Sequence, residues 1–294
     1  MRLLRAKQVD VLHSHKFGSN VWCAVLARLA AVPVLVTHEH SWSFKDDRLR
    51  IMLDRRLVAP VASAMIAVSA EDARKMIEVE GIPERKIRVI PNGIAAVDGL
   101  DSRLLKRELR LGDETLIVGM IASLRPEKRV DLLLDAAKLL MEDDRQFHVA
   151  IVGDGPLRAE LQARAETLGV AGCVSFLGYR EDARELAGAF DVAVLASDRE
   201  GTPLSLLEYM ALARAIVSTS VGGIPDVVAH EGEALLVPPG DASKLAGAIA
   251  RLLAAPEERA RLGSAAAARQ RKDYDIVATT RRLEDLYLEL LGAR

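Results

Sequence analysis

Two histidine pairs stand close together near the N-terminus, in His13-Ser14-His15 and Thr37-His38-Glu39-His40. Alternate residues of an extended strand share a face, so His13 groups with His15 and His38 with His40. Neutral imidazoles ligate zinc, and such pairs at strand ends suit a metal-dependent hydrolase. Farther along, Arg125-Pro126-Glu127-Lys128-Arg129 places cations just before a helix expected to begin near Val130. Cations beside the free amides of a helix start suit a phosphate, although a solvated charged loop would read the same. Gly153-Asp154-Gly155-Pro156 suits a tight turn or a close backbone approach to a ligand, with Pro156 in the first turn of a helix.

The segment Ser197 to Glu208 is the richest. Thr202 is expected as an N-cap and Pro203 as the first helical residue, which leaves the amides around Leu204 and Ser205 free. Glu200 then lies in the loop and Glu208 inside the helix, two acceptor-only carboxylates that could hold sugar hydroxyls. Apolar neighbours Leu206, Leu207, Tyr209 and Met210 make an unpartnered Glu208 costly, which argues against an ordinary half-exposed helix residue. Gly222-Gly223-Ile224-Pro225 could form a backbone nest for an anion or serve packing alone.

The elements that must position these residues follow from periodicity. β-Branched runs at Leu116 to Ala122, Val149 to Gly153, Val174 to Leu177, Val192 to Ala196, Ile216 to Thr219 and Leu235 to Val237 alternate with longer amphipathic segments. Uninterrupted apolar runs suit strands buried on both faces, and the alternation implies parallel crossovers, hence a doubly wound α/β domain. Val9 to Leu12, Pro33 to Thr37, Met65 to Val68 and Ile87 to Ile90 repeat the pattern in a shorter first lobe, and the polar stretch Ala95 to Glu114 reads as a linker. Ligands of such sheets bind outside the carboxyl ends of the strands, where the segments above fall.

Taken together, His13-x-His15, Pro91-Asn92-Gly93, Arg125-Pro126-Glu127-Lys128, Gly153-Asp154-Gly155-Pro156, the Glu200 and Glu208 pair, and Gly222-Gly223-Ile224-Pro225 resemble the retaining glycosyltransferases of family 4. The resemblance implies the α/β GT-B fold: two Rossmann-like, doubly wound parallel-sheet lobes facing across a cleft. It implies an acceptor-side lobe over residues 1–98, a nucleotide-sugar-binding lobe over 99–274, and a helix over 275–294 that crosses back on a stripe of Ile276, Leu283, Leu286 and Leu290. Lys128 would contact the donor diphosphate, and Glu200 the transferred sugar. Gly201, Thr202, Pro203, Leu204 and Ser205 would approach that sugar and its phosphate, Glu208 would hold the ribose diol, and His15 would reach the donor sugar. Gly153 and Gly155 are carried as donor-binding. The donor would be a UDP- or GDP-linked sugar and the acceptor a glycan, a lipid-linked sugar or a small molecule in polysaccharide biosynthesis. No cofactor and no metal are implied, and the chain has no Asp-x-Asp motif.

Two departures from the family pattern stand out. Ala122-Ser123 occupies the place of the usual Gly-Arg, so Arg125 is expected to stand in as the phosphate-binding arginine. Family members also open with a strand, a glycine-rich loop and further units before the His-x-His strand, which begins here near Val9. The first lobe is therefore expected to be incomplete, with weak nucleotide binding and little or no transfer.

Composition sets the outer bounds. With 294 residues, 40 Lys+Arg, 42 Asp+Glu and a net charge of −2, the chain can hold one large or two ordinary domains and gives no electrostatic case for nucleic acid. Two cysteines about 150 residues apart without a CxxC spacing make neither a disulfide framework nor a cysteine-built structural zinc site plausible. No signal peptide or membrane span is read, so a cytoplasmic protein is expected, with docking at the inner membrane face left open. The rivals are a metal-dependent hydrolase on the four histidines, which lacks a carboxylate-rich third strand, a non-catalytic nucleotide-binding fragment, and an epimerase or hydrolase on the same fold. Trp42 and Phe44 could stack on acceptor sugars or pack in a core.

Overall fold

A computed structural model describes residues 1–40, 47–96, 103–141 and 146–292. Trp42 and Phe44 lie outside the described residues. The chain divides into two compact units, Met1–Gly93 with Ile276–Arg294, and Ile94–Asp275. The first boundary falls ahead of residue 98 because Ile94 already bridges to Asp275 and its amide donates to the Tyr274 carbonyl at 3.0 Å.

In the first unit, strands β1 (Val11–His15), β2 (Val34–Glu39), β3 (Ala64–Ala67) and β4 (Ile87–Val89) form a parallel sheet in the order β1-β2-β3-β4. Helix Phe17–Ala30 follows β1, and helix Ala70–Glu78 begins where Ser69 Oγ accepts from the Asp72 amide at 3.0 Å. One face of the sheet packs Leu35, Met65 and Ala67 against Ala24, Val58 and Met76. The other packs Val34, Val36, Ala64 and Ile66 against Leu283, Leu286, Tyr287 and Leu290 of helix Ile276–Gly292. Ile276 does not share that stripe. It opens the helix and is 40% exposed, while Tyr287, at i+4 from Leu283, completes the packed face.

The second unit holds β5 (Leu116–Ile121), β6 (Phe147–Val152), β7 (Val174–Gly178), β8 (Val192–Leu195), β9 (Ala215–Thr219) and β10 (Leu235–Val237). All pairs are parallel in the order β10-β9-β8-β5-β6-β7. Alternate residues of one strand serve two cores: Val118 and Met120 of β5 join Leu133, Leu140, Ile249 and Leu252, whereas Ile117 joins Phe190, Leu206, Tyr209 and Met210. Burial on both faces is why these strands read as continuous apolar runs. The strand order reverses between β5 and β8, which makes that place the topological switch point of the sheet. No helix among the described residues is long and apolar enough to cross a membrane.

Candidate active site

At the switch point, the carboxyl ends of β5, β6, β7 and β8 surround a recess of about 520 Å³. Ile121 to Ser123 enter it from β5, Val152 to Asp154 from β6, Tyr179 and Arg180 from β7, and Glu200, Pro203, Leu204, Ser205 and Glu208 from the loop and helix after β8. Lys128 completes the lining. Its Nζ donates to Glu200 Oε1 at 2.5 Å, and Ser197 Oγ donates to the same oxygen at 2.6 Å. The Glu200 carboxylate, 9% exposed in its side chain, is thus held by a cation and a hydroxyl. Two further bonds fix the loop that carries it: Thr219 Oγ1 donates to the Ser197 carbonyl at 2.6 Å, and the Asp198 amide to the Glu127 carbonyl at 2.9 Å.

The helix beside this pair spans Leu204–Ala211 and starts one residue later than the sequence suggests. Pro203, with φ −69° and ψ 128°, is the N-cap residue, while Thr202 is 4% exposed and does not cap. No helical carbonyl precedes the first turn, so the amides of Leu204, Ser205 and Leu206 lack intrahelical acceptors and Leu207 is the first to bond back, to Pro203 O at 3.4 Å. Glu208 sits inside this helix at the recess wall, half-buried. Burial pushes its carboxyl above the ordinary value, and Arg184 partly offsets that. The neighbouring Tyr209 is fully buried and accepts the Ile121 amide at 2.7 Å, tying the helix to the end of β5.

Glycines let the strand-end loops close on one another. A Cβ at Gly153, where φ is +134°, would collide with the Ala122 carbonyl, and one at Gly155 would meet the Leu124 backbone. These residues therefore seat the β6 turn on the β5 loop; Gly153 still lines the recess and Gly155 does not. Pro156 precedes the next helix, Arg158–Leu168, rather than opening it. A Cβ at Gly222 would strike the Glu200 carbonyl, and the Gly223 amide donates to that oxygen at 3.2 Å. The glycine pair thus seats the Glu200 loop instead of forming an open nest.

Gly201 and Thr202 are buried in the loop behind the lining. Arg125 is exposed and stands outside the recess. Arg129 turns away as well, pairing with Asp131 at 3.0 Å and Asp198 at 3.1 Å. The lining gains two residues that motif reading passed over. Tyr179 is 75% exposed, and Arg180 is fixed by Glu108 at 2.5 Å and Asp182 at 2.7 Å. The available signal was their place immediately after β7.

In the first unit His15 lies at the exposed end of β1, its Nδ1 3.0 Å from His40 Nε2. On the opposite face of the same strands, Ser14 Oγ donates to Asn20 Oδ1 at 2.7 Å, Asn20 Nδ2 to Glu39 Oε1 at 2.8 Å, and Arg50 Nη2 to Glu39 Oε2 at 3.0 Å.

Residues 101–269 match the family described as glycosyl transferases group 1, and residues 1–96 match glycosyltransferase family 4. The chain belongs to the group 1 glycosyltransferases. Its two parallel-sheet units are those of the GT-B architecture, and solved structures agree. HepE of Anabaena in complex with UDP superposes with a TM-score of 0.90 at 24% identity, over 98% of this chain and 80% of HepE. HepE in complex with UDP-glucose gives 0.85 at 25% identity, over 99% of this chain and 82% of HepE. Among curated relatives of this glycosyltransferase, the putative glycosyltransferase EpsF of Bacillus subtilis is 32% identical over 211 residues, which are 69% of this chain and 55% of EpsF. The chain thus spans little more than half the length of EpsF. The D-inositol 3-phosphate glycosyltransferase of Corynebacterium jeikeium is 30% identical over 96% of this chain and 72% of its own length.

Proposed function

We propose that this glycosyltransferase moves a sugar from a uridine diphosphate sugar to an acceptor hydroxyl with retention of configuration. The observation that carries the reading is the convergence of Lys128, Glu200, Glu208 and the helix start at Leu204 and Ser205 on one recess at the switch point. Departure of the nucleotide leaves negative charge on the diphosphate, and groups already aimed at that charge lower the barrier without reorganising. Lys128 and the helix start supply such groups, so the transfer needs no metal. Glu200, held through Ser197 and Lys128, faces the transferred sugar, and Glu208 accepts from the ribose diol. The Tyr179 ring, exposed at the rim, offers a face on which the base stacks.

In a front-face transfer the sugar–phosphate bond breaks ahead of attack. The acceptor oxygen bonds the anomeric carbon on the side that the diphosphate leaves, and the hydroxyl proton passes to a departing phosphate oxygen. His15 is assigned to the donor sugar by the family pattern. The donor base is read as uracil because HepE, at 25% identity, is seen with UDP-glucose. The acceptor is a hydroxyl on a glycan, a lipid-linked sugar or a small molecule.

The test has two parts. Titration of the purified chain with UDP should show saturable binding, and NMR of the product from an α-linked UDP-sugar should show an α-glycoside. Absence of UDP binding would remove the donor assignment, and a β-linked product would remove retention.

A further inference from the structure

The four histidines of the first unit do more than share strand faces. The parallel register pairs His15 with His38, and the rings gather at centroid separations of 4.3 Å for His13–His15, 5.4 Å for His13–His38, 5.1 Å for His15–His38 and 4.4 Å for His38–His40. One ring nitrogen from each of His13, His15 and His38 lies within 4.8 Å of the other two. Three of the nitrogens in this cluster, His13 Nε2 and both of His38, are buried without a hydrogen-bond partner, and His38 is only 6% exposed. Leaving a buried polar atom unmade costs about 1–3 kcal/mol, so three at one place call for an explanation.

We propose that His13, His15 and His38 form a binding site for a divalent zinc ion. A metal accepts the unused lone pairs of His13 Nε2 and of one His38 nitrogen, which accounts for two of the three orphaned atoms. The donor set of three imidazoles, with no carboxylate among the three, suits zinc and its first-row neighbours and not magnesium or calcium.

The other nitrogens of His13 and His15 are already held. His13 Nδ1 meets Tyr287 Oη at 2.6 Å; with Nδ1–H donating there, the lone pair sits on Nε2. His15 Nδ1 meets His40, which the Asn92 side chain holds in turn, and this leaves His15 Nε2 for the ion. A tetrahedral ion with bonds of about 2.0–2.1 Å needs nitrogens about 3.3 Å apart, so binding draws the three rings inward by side-chain rotation. The site itself is independent of the transfer reaction. Only its consequence for His15, which zinc would withhold from the donor sugar, rests on the function proposed above.

The experiment is a titration of chelator-treated, dialysed protein with zinc chloride by calorimetry, and with cobalt chloride by visible absorption, both without nucleotide. The expected result is about one ion per chain and intense visible bands of four-coordinate cobalt. His13→Ala and His38→Ala should each weaken zinc binding by at least about tenfold, and Tyr287→Phe by about tenfold, since loss of an orienting partner typically costs about 10–100-fold. His148→Ala and His230→Ala, at histidines outside the cluster, should bind as the parent does. Circular dichroism melts of each variant identify any that fail to fold, and the parent protein's titration stands without them. No stoichiometric binding by the parent, or unchanged binding by a folded His13→Ala/His38→Ala double variant, overturns the site. Because UDP is absent, failure here leaves the donor assignment untouched.

Discussion

At the scale of single residues, the proposed donor chemistry turns on the Lys128–Glu200 pair. Its 2.5 Å bond sets an ammonium at the recess wall, and in the proposed reading that ammonium exchanges part of its carboxylate contact for a phosphate oxygen. Arg125 stands three residues earlier, exposed and outside the lining. A charge-assisted hydrogen bond is worth about 1.5–3 kcal/mol, so Lys128→Ala should weaken UDP binding by about 10–150-fold. Arg125→Ala should change it by less than about threefold, because an exposed charge beyond the recess acts through screened solvent. Calorimetric titration of both variants with UDP decides this. Equal losses would place Arg125 on the diphosphate after all, as the family's missing arginine first suggests.

At the scale of elements, the seating of one loop on another matters as much as the side chains it carries. Gly222, at φ +53°, lies directly against the Glu200 carbonyl. Gly222→Ala adds both a backbone strain and a collision that only movement of the Glu200 loop can relieve. The expected outcome is a lower melting temperature together with about tenfold weaker UDP binding, because the collision displaces the loop that carries Glu200 into the recess, about 1.4 kcal/mol of lost contact. A Gly222→Ala protein that binds UDP as tightly as the parent would show that the loop is not held from this side.

The strands that set these loops were legible because Val149, Ile151, Val192 and Val194 are buried on one sheet face and Ala150, Val152, Ala193 and Leu195 on the other, which makes unbroken apolar runs. The helix start was misplaced by one residue because Thr202 has cap chemistry but is drawn into the core, a tertiary demand that local preference does not carry. Tyr179 and Arg180 belong to no motif; what brings them to the site is the position of β7 beside β6, and strand order is a property of the sheet. Convergence of the four histidine rings likewise depends on the β1–β2 register, which alternation within each strand does not specify.

At the scale of the whole molecule, the acids that are buried as whole residues, Glu39, Asp54, Asp72 and Glu80 among the described residues, all lie in the unit that carries the histidines. Asp54 opens a π-helical turn at Asp54–Val58, is 2% exposed, and has two carboxylate oxygens without hydrogen bonds. Its ion-pair partner among the described residues is Arg50, whose Nε lies 4.0 Å away and whose Nη2 is bonded to Glu39. Burial therefore raises the Asp54 carboxyl from 3.8 to about 6, with Arg50 only partly offsetting it. Between about pH 4 and 6 the folded protein holds a proton that the unfolded chain has released, so stability falls as pH rises through that window and stays lowered above it. At about 1.4 kcal/mol for each pH unit, the cost at neutral pH is on the order of 3 kcal/mol. Asp54→Asn keeps the shape and removes the charge. It should raise the free energy of unfolding by about 1–3 kcal/mol at pH 8 and leave it nearly unchanged at pH 4, where the parent aspartate is already neutral. Urea denaturation of parent and variant at the two pH values checks the sign. A variant less stable than the parent at pH 8 would mean that Arg50 holds Asp54 ionised in the folded state, and that the pair contributes stability.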